Sequence, residues 1–206
     1  MREFLTGLES EVARRMVHVS GSLLPLGYVF VPDVVTWQVV RLIVGVALAV
    51  SLVLEVIRLG LGLDWWIYDH LTRSYEQDNL AGYALAMISA GIVVFAVDPT
   101  VAVPALLMLT LGDPISGLLG SGDASVLEDP GSFEVIRKPA AVLGVMFAVC
   151  TAIALPFVHP VAAALGGFAA MVADGLKPVV ASFVLDDNFT IPLVGAGAMS
   201  LGLLVV

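Results

Sequence analysis

VTWQVVRLIVGVALAVSLVLEVIRL, residues 35–59, carries only three charged side chains, Arg41, Glu55 and Arg58. It exceeds the ~20 residues that a helix needs to cross a ~30 Å hydrocarbon core. Working outward, the polar clusters divide the chain into seven apolar segments, at approximately 17–31, 35–59, 79–97, 101–120, 139–158, 160–185 and 189–206. Hydrophobic residues make up 59% of the 206 and charged residues 13%, against roughly 25% charged in a soluble domain. A chain of this size cannot hide so much apolar surface from water by itself, so lipid must cover it. The expectation is an all-α, polytopic integral membrane protein of the cell membrane. It forms one domain over 1–206, with about seven transmembrane helices. The first segment holds Pro25 and Gly27 and is short, so it is expected to be tilted, broken or re-entrant.

Charge bias orients these segments. With the N-terminus in the cytosol, the inner parts are a juxtamembrane helix (1–16), loops at 60–78 and 121–138, and a polar cluster at 186–188. Arg2, Arg14, Arg15, Arg58, Arg73, Arg137, Lys138 and Lys177 then fall inside and Arg41 lies near the outside, as the positive-inside rule requires. The first residues mix Glu with Arg and have no small-residue cleavage site after a short apolar core, so they do not read as a cleavable signal. Eighteen acidic against nine basic residues argue against nucleic acid as a partner. The lone Cys150 excludes a disulfide framework and a cysteine-based metal site.

Polar side chains in so apolar a chain mark candidate chemistry. Glu11, Arg14, Arg15 and His18 are spaced to share one helix face. At the inner membrane surface that stripe suits phosphate groups, or anionic lipid headgroups. Glu55 and Arg58 can pair three residues apart, and Trp65, Trp66 and Tyr68 read as an interfacial anchor. Asp113, in Gly112-Asp113-Pro114, interrupts an apolar run and needs a cation, a metal or a polar cavity, with small Ser116, Gly117 and Gly120 leaving room nearby. Asp174 is a second intramembrane acid, with Lys177 one turn on as its simplest partner. Asp186, Asp187 and Asn188 precede a helix. They can cap it, and carboxylates there can also hold Mg²⁺ together with substrate phosphates. Lys138 is placed to meet a nucleotide phosphate.

Together these residues resemble the membrane family of CTP-dependent lipid kinases that includes dolichol kinase, phytol kinase and the CTP-dependent diacylglycerol kinase. The family's Glu-x-x-Arg-(Arg/Lys)-x-x-His resembles Glu11, Arg14, Arg15 and His18, followed by Gly21, and its Glu-x-x-Arg resembles Glu55 and Arg58. Its Gly-Asp with spaced small residues resembles Gly112-Asp113 with Ser116 and Gly120. Its closing acid and Asp-Asn-x-x-Ile-Pro resemble Asp174 and Asp187-Asn188-Phe189-Thr190-Ile191-Pro192. Where the family shows Lys-Ser-x-Glu-Gly, this chain has Lys138-Pro139-Ala140-Ala141-Val142. It keeps the lysine and lacks the Ser and Glu.

The resemblance implies a kinase that uses CTP as donor and Mg²⁺ as cofactor to phosphorylate the hydroxyl of a membrane isoprenoid alcohol, such as dolichol. Asp113 and Asp187 are then expected to hold the metal or orient the hydroxyl, with Asn188 assisting. Glu11, Arg14, Arg15 and Lys138 belong to the nucleotide site, and His18 or Asp174 accepts the proton. Two rivals use the same residues. One is a cytidylyltransferase making a CDP-lipid; the other is a small transporter with Asp113 and Asp174 as cation or proton sites. Paired small residues, Gly166-Gly167 and Gly195-x-Gly197, are expected to permit close helix packing.

Overall fold

A computed structural model describes residues 15–62, 79–119, 125–128, 134–180, 183–184 and 186–206. Residues 15–21 are helical, and α1 (Leu23–Phe30) follows after a break at Ser22. Pro25 causes the break, because it has no N–H for the carbonyl of Gly21. Ser22 turns its hydroxyl back onto the Val19 carbonyl at 2.6 Å. Next comes α2 (Trp37–Leu61), capped by Thr36, whose hydroxyl accepts from Val39 N–H, and closed by Gly62 at φ 62°. That left-handed turn favours glycine at the helix end. An antiparallel return brings α3 (Gly82–Ala96), where Arg41 of α2 donates to the Val94 carbonyl at 3.4 Å.

Asp98 and Pro99 then start α4 (Pro99–Leu107), with the proline in the first turn where it costs no hydrogen bond. A π-helical stretch, Met108–Gly112, joins it to α5 (Asp113–Leu119). Pro114 accounts for this stretch: it cannot donate to the carbonyl of Thr110 and crowds it. The Asp113 N–H reaches back five residues to Met108 O instead. The core is completed by α6 (Ala140–Ala154), α7 (Pro160–Gly175) and α8 (Asp187–Leu203). Of these, α7 packs along both its neighbours and α8 also packs on α3 and α4.

Small residues set the closeness of that packing. A Cβ on Gly167 would lie 2.8 Å from the Thr151 nitrogen and 3.1 Å from the Phe147 carbonyl, and one on Gly202 would meet Ala162 Cα at 2.7 Å. Gly166 faces Met199, and Gly195 faces Met108, as the expectation of close packing requires. Gly197 departs from it and faces open space. Gly167→Ala should therefore destabilise by about 1–3 kcal/mol through overpacking. Gly197→Ala should stabilise by up to about 1 kcal/mol through helix propensity. Thermal unfolding of the two purified variants checks the pair. Equal midpoints would contradict the packing.

Two helices, Trp37–Leu61 and Pro99–Leu118, are long and apolar enough to cross a membrane. Leu42, Val46, Val50, Val53 and Val56 form an exposed apolar face along α2, each more than half exposed. Such a continuous face is foreign to a surface meant for water. The helices Gly82–Ala96, Ala140–Ala154 and Pro160–Gly175 are apolar but shorter.

The chain is mostly helical, and a small sheet amends the all-α expectation. β1 (Ser125–Glu128), β2 (Glu134–Arg137), β3 (Leu176–Val180) and β4 (Phe183–Val184) pair antiparallel in that order. Arg137 lies opposite Leu176, and Glu134 opposite Val179. The expected loop 121–138 thus contributes two strands. The expected helical segment 160–185 ends at Gly175, ten residues early. Pro178 disfavours helical backbone at Lys177, and the β-branched Val179 and Val180 suit a strand. The cluster expected as a 186–188 loop is instead the first turn of α8 and its cap.

Candidate active site

Three helices bring one aspartate each to a common point. Asp113 opens α5, Asp174 lies in the last turn of α7, and Asp187 opens α8. One carboxylate oxygen from each lies within 4.8 Å of the others. Asp174 is fully buried and Asp187 is 3% exposed, while the Asp113 side chain remains 20% exposed. Lys138 approaches two of them, with Nζ 2.5 Å from Asp174 Oδ1 and 3.7 Å from Asp113 Oδ1. Ser116, one turn after Asp113, donates to Asp174 Oδ2 at 3.1 Å. His18 Nδ1 lies 3.6 Å from Asp113 Oδ2.

Main-chain geometry fixes this arrangement. The Lys138 N–H donates to the Gly175 carbonyl at 3.2 Å, continuing the pairing of β2 with β3. That bond ties the residue holding the ammonium to the residue after Asp174. Asp174 meets Lys138 and Ser116, and the backbone of Lys177 enters β3.

The polar cluster before α8 divides its labour. Asp186 is the cap, its Oδ1 accepting from the Asn188 N–H at 2.9 Å. Asp187 joins the other carboxylates. Asn188 lines an apolar cavity of about 540 Å³ between the N-terminal helical residues, α1, α2, α3 and α4. Pro192 leaves the Asn188 carbonyl without its helical donor, and the Ser89 hydroxyl supplies one at 2.8 Å. His18 also lines this cavity, so the cavity adjoins the carboxylate cluster.

Arg15 lies over Gly117, where a Cβ would stand 3.3 Å from its Nη2. A guanidinium is thereby held one turn beyond Asp113. Glu11, Arg14, Trp65, Trp66 and Tyr68 lie outside the described residues. Glu55 and Arg58 do pair, at 2.7 Å, and Glu55 also accepts from Tyr83 Oη and from the Ala81 N–H at 3.2 Å. They form a buried brace between α2 and the start of α3, with Tyr83 reaching the cavity.

Sequence reading alone missed Ser89 and Tyr83. Ser89 carried a faint signal as a hydroxyl in the apolar run Ala86-Met87-Ile88-Ser89-Ala90-Gly91. Tyr83 carried none, because an aromatic near a helix start reads as an interfacial anchor.

The donor set is all hard oxygen, the kind that Mg²⁺ selects. The spread of 4.8 Å slightly exceeds the ~4 Å that spans a cation bound at ~2.1 Å per ligand. A small side-chain adjustment would bring the three oxygens within that reach. No protein-family model, curated protein or solved structure matches the chain.

Proposed function

We propose that this chain is a multi-pass membrane phosphotransferase. Its active face is cytosolic, and it moves the γ-phosphoryl group of CTP to the hydroxyl of a membrane isoprenoid alcohol. The observation that carries this reading is the convergence of Asp113, Asp174 and Asp187 with Lys138 and His18 beside an apolar cavity. Phosphoryl transfer demands little covalent chemistry from a protein. It needs in-line positioning and neutralised charge. CTP as the donor rests on the motif resemblance, and the N-terminus inside rests on the distribution of Arg and Lys.

In this reading Asp113 and Asp187 hold Mg²⁺, which neutralises charge on the phosphates when bound. Lys138, anchored by Asp174, and Arg15 hold phosphate oxygens. Arg14 and Glu11, which lie outside the described residues, are assigned to the same face from their helical spacing alone. His18 touches both the cavity and Asp113, so it accepts the proton as the alcohol oxygen attacks the γ-phosphorus. The bond between that phosphorus and the β,γ-bridging oxygen breaks, and CDP leaves.

The test is transfer from γ-labelled CTP, with ATP as control, to dolichol, phytol, geranylgeraniol and diacylglycerol in purified protein with Mg²⁺. Label in a lipid together with free CDP is the expected result. A CDP-lipid with release of pyrophosphate would replace this reading with a cytidylyltransferase. Proton- or cation-coupled flux in vesicles without any transfer would replace it with a transporter.

A further inference from the structure

We infer that the cavity beside the carboxylates is open sideways to the bilayer, and that the hydrocarbon chain of a membrane lipid slides into it between the N-terminal helical residues and α2. The inference takes the membrane setting from the proposed function and does not depend on phosphate transfer. Three seams around the cavity are sealed. The helix of residues 15–21 packs onto the π-helical stretch, where a Cβ on Gly21 would stand 3.1 Å from Thr110 Cγ2. The chain then closes α1 on the start of α2 through the Tyr28 and Trp37 rings, 5.2 Å apart, and through Gly27 against Val35. Farther along, Leu48 meets Gly91 and Phe95 meets Gly45, which closes α2 on α3.

The fourth seam is the cavity itself, walled by Gly21 and Leu24 on one side and by Ile43 and Ala47 on the other. Its edges are exposed and apolar: Leu23 is 71% exposed and Ile43 46%. Its floor, at Ala90, Leu106 and Leu109, is buried. A cavity lined by buried residues at one end and exposed ones at the other has its mouth at the exposed end. That mouth continues the exposed apolar face of α2, so the medium outside it is hydrocarbon rather than water. Ser20, on the same edge, donates its hydroxyl to the Val17 carbonyl at 2.7 Å, as a polar group deprived of water must. His18 lines the cavity and lies 3.6 Å from Asp113, so a chain seated here brings its polar head to the carboxylates.

The test is photolabelling of the protein in phosphatidylcholine nanodiscs, without CTP or Mg²⁺, by hexadecanol carrying a diazirine midway along its chain. Peptide mass spectrometry then locates the adducts. The unaltered chain should be labelled at Val46, Val50 and Val53 on the outer face of α2, and also at Ala90, Leu106 and Leu109 on the floor of the crevice. Leu23→Trp combined with Ile43→Trp narrows the mouth. It should remove most of the floor label and leave the outer face labelled. Label on the outer face alone in the unaltered chain would overturn the inference, whether or not the variant folds. Floor label that persists in the folded variant would also overturn it, because the chain would then enter past His18. Floor label without phosphate transfer would leave the crevice standing and sink the kinase. Transfer without floor label would do the reverse.

Discussion

Asp113→Asn is expected to lower phosphate transfer by on the order of 10²–10³-fold, the scale seen when one preorganised charge-stabilising group is removed. The same substitution should leave the protein at least as stable as before when divalent ions are chelated. Three carboxylates within 4.8 Å of one another repel, and Lys138, itself paired to Asp174, offsets only part of that. Removing one charge relieves the repulsion. Mg²⁺ should then separate the two proteins. If Asp113 holds the ion, Mg²⁺ should stabilise the unaltered chain by about 2.7 kcal/mol at 100 times its dissociation constant and do little for the variant. Thermal unfolding with EDTA and with Mg²⁺, run beside the transfer assay, measures both effects. A variant that loses stability in EDTA would mean that Asp113 serves the fold, and the metal assignment would fall. Functional sites often store destabilisation of this kind.

Glu55→Leu is expected to cost about 3–5 kcal/mol, the range for breaking a buried ion pair from one side. The Glu55 side chain is 3% exposed and that of Arg58 8% exposed. Without the carboxylate, a buried guanidinium loses its counter-charge, and the Ala81 N–H and Tyr83 hydroxyl lose their acceptor. Changing both partners, Glu55→Leu with Arg58→Leu, should recover much of the loss, since no charge is left stranded. A double variant no more stable than the single one would show that the hydrogen bonds to Ala81 and Tyr83, rather than the ion pair, carry the brace. Unfolding midpoints of the two variants and the parent decide this.

The sequence was most legible where polar groups sat in apolar surroundings. Asp113 and Asp174 stood out because a carboxylate is expensive in a hydrocarbon setting. His18 stood out through its helical spacing with Glu11, Arg14 and Arg15, and Asp187 and Lys138 as polar groups at the inner ends of apolar segments. All five meet in space. Helix positions were legible for the same reason in reverse: long apolar runs at 35–59 and 101–120 correspond to α2 and to α4 through α5. Less legible was the end of α7, because Leu176, Val179 and Val180 are as apolar as the helix before them. Hydropathy does not distinguish a strand from a helix there; the proline at 178 does. Partner choice was also hidden. Lys138 is 36 residues from Asp174 in the chain, and the pairing of β2 with β3 brings it there. The separate duties of Asp186 and Asp187 follow from a difference of one residue in the helix start, which spacing alone does not resolve.

The π-helical stretch gives the chain a counting property. An α-helix advances about 100° per residue, so a stretch bonded i to i+5 acts as one added residue that shifts the phase of everything after it. Residues 99–107 and 113–119 are therefore two helices on one axis, set out of step by Met108–Gly112. A chain one residue shorter between 108 and 112 would keep its hydropathy, its length class and all three aspartates. It would turn Asp113 about 100° around the axis, away from Asp174 and Asp187. Along this helix the number of residues before the acid specifies the site as firmly as the acid itself.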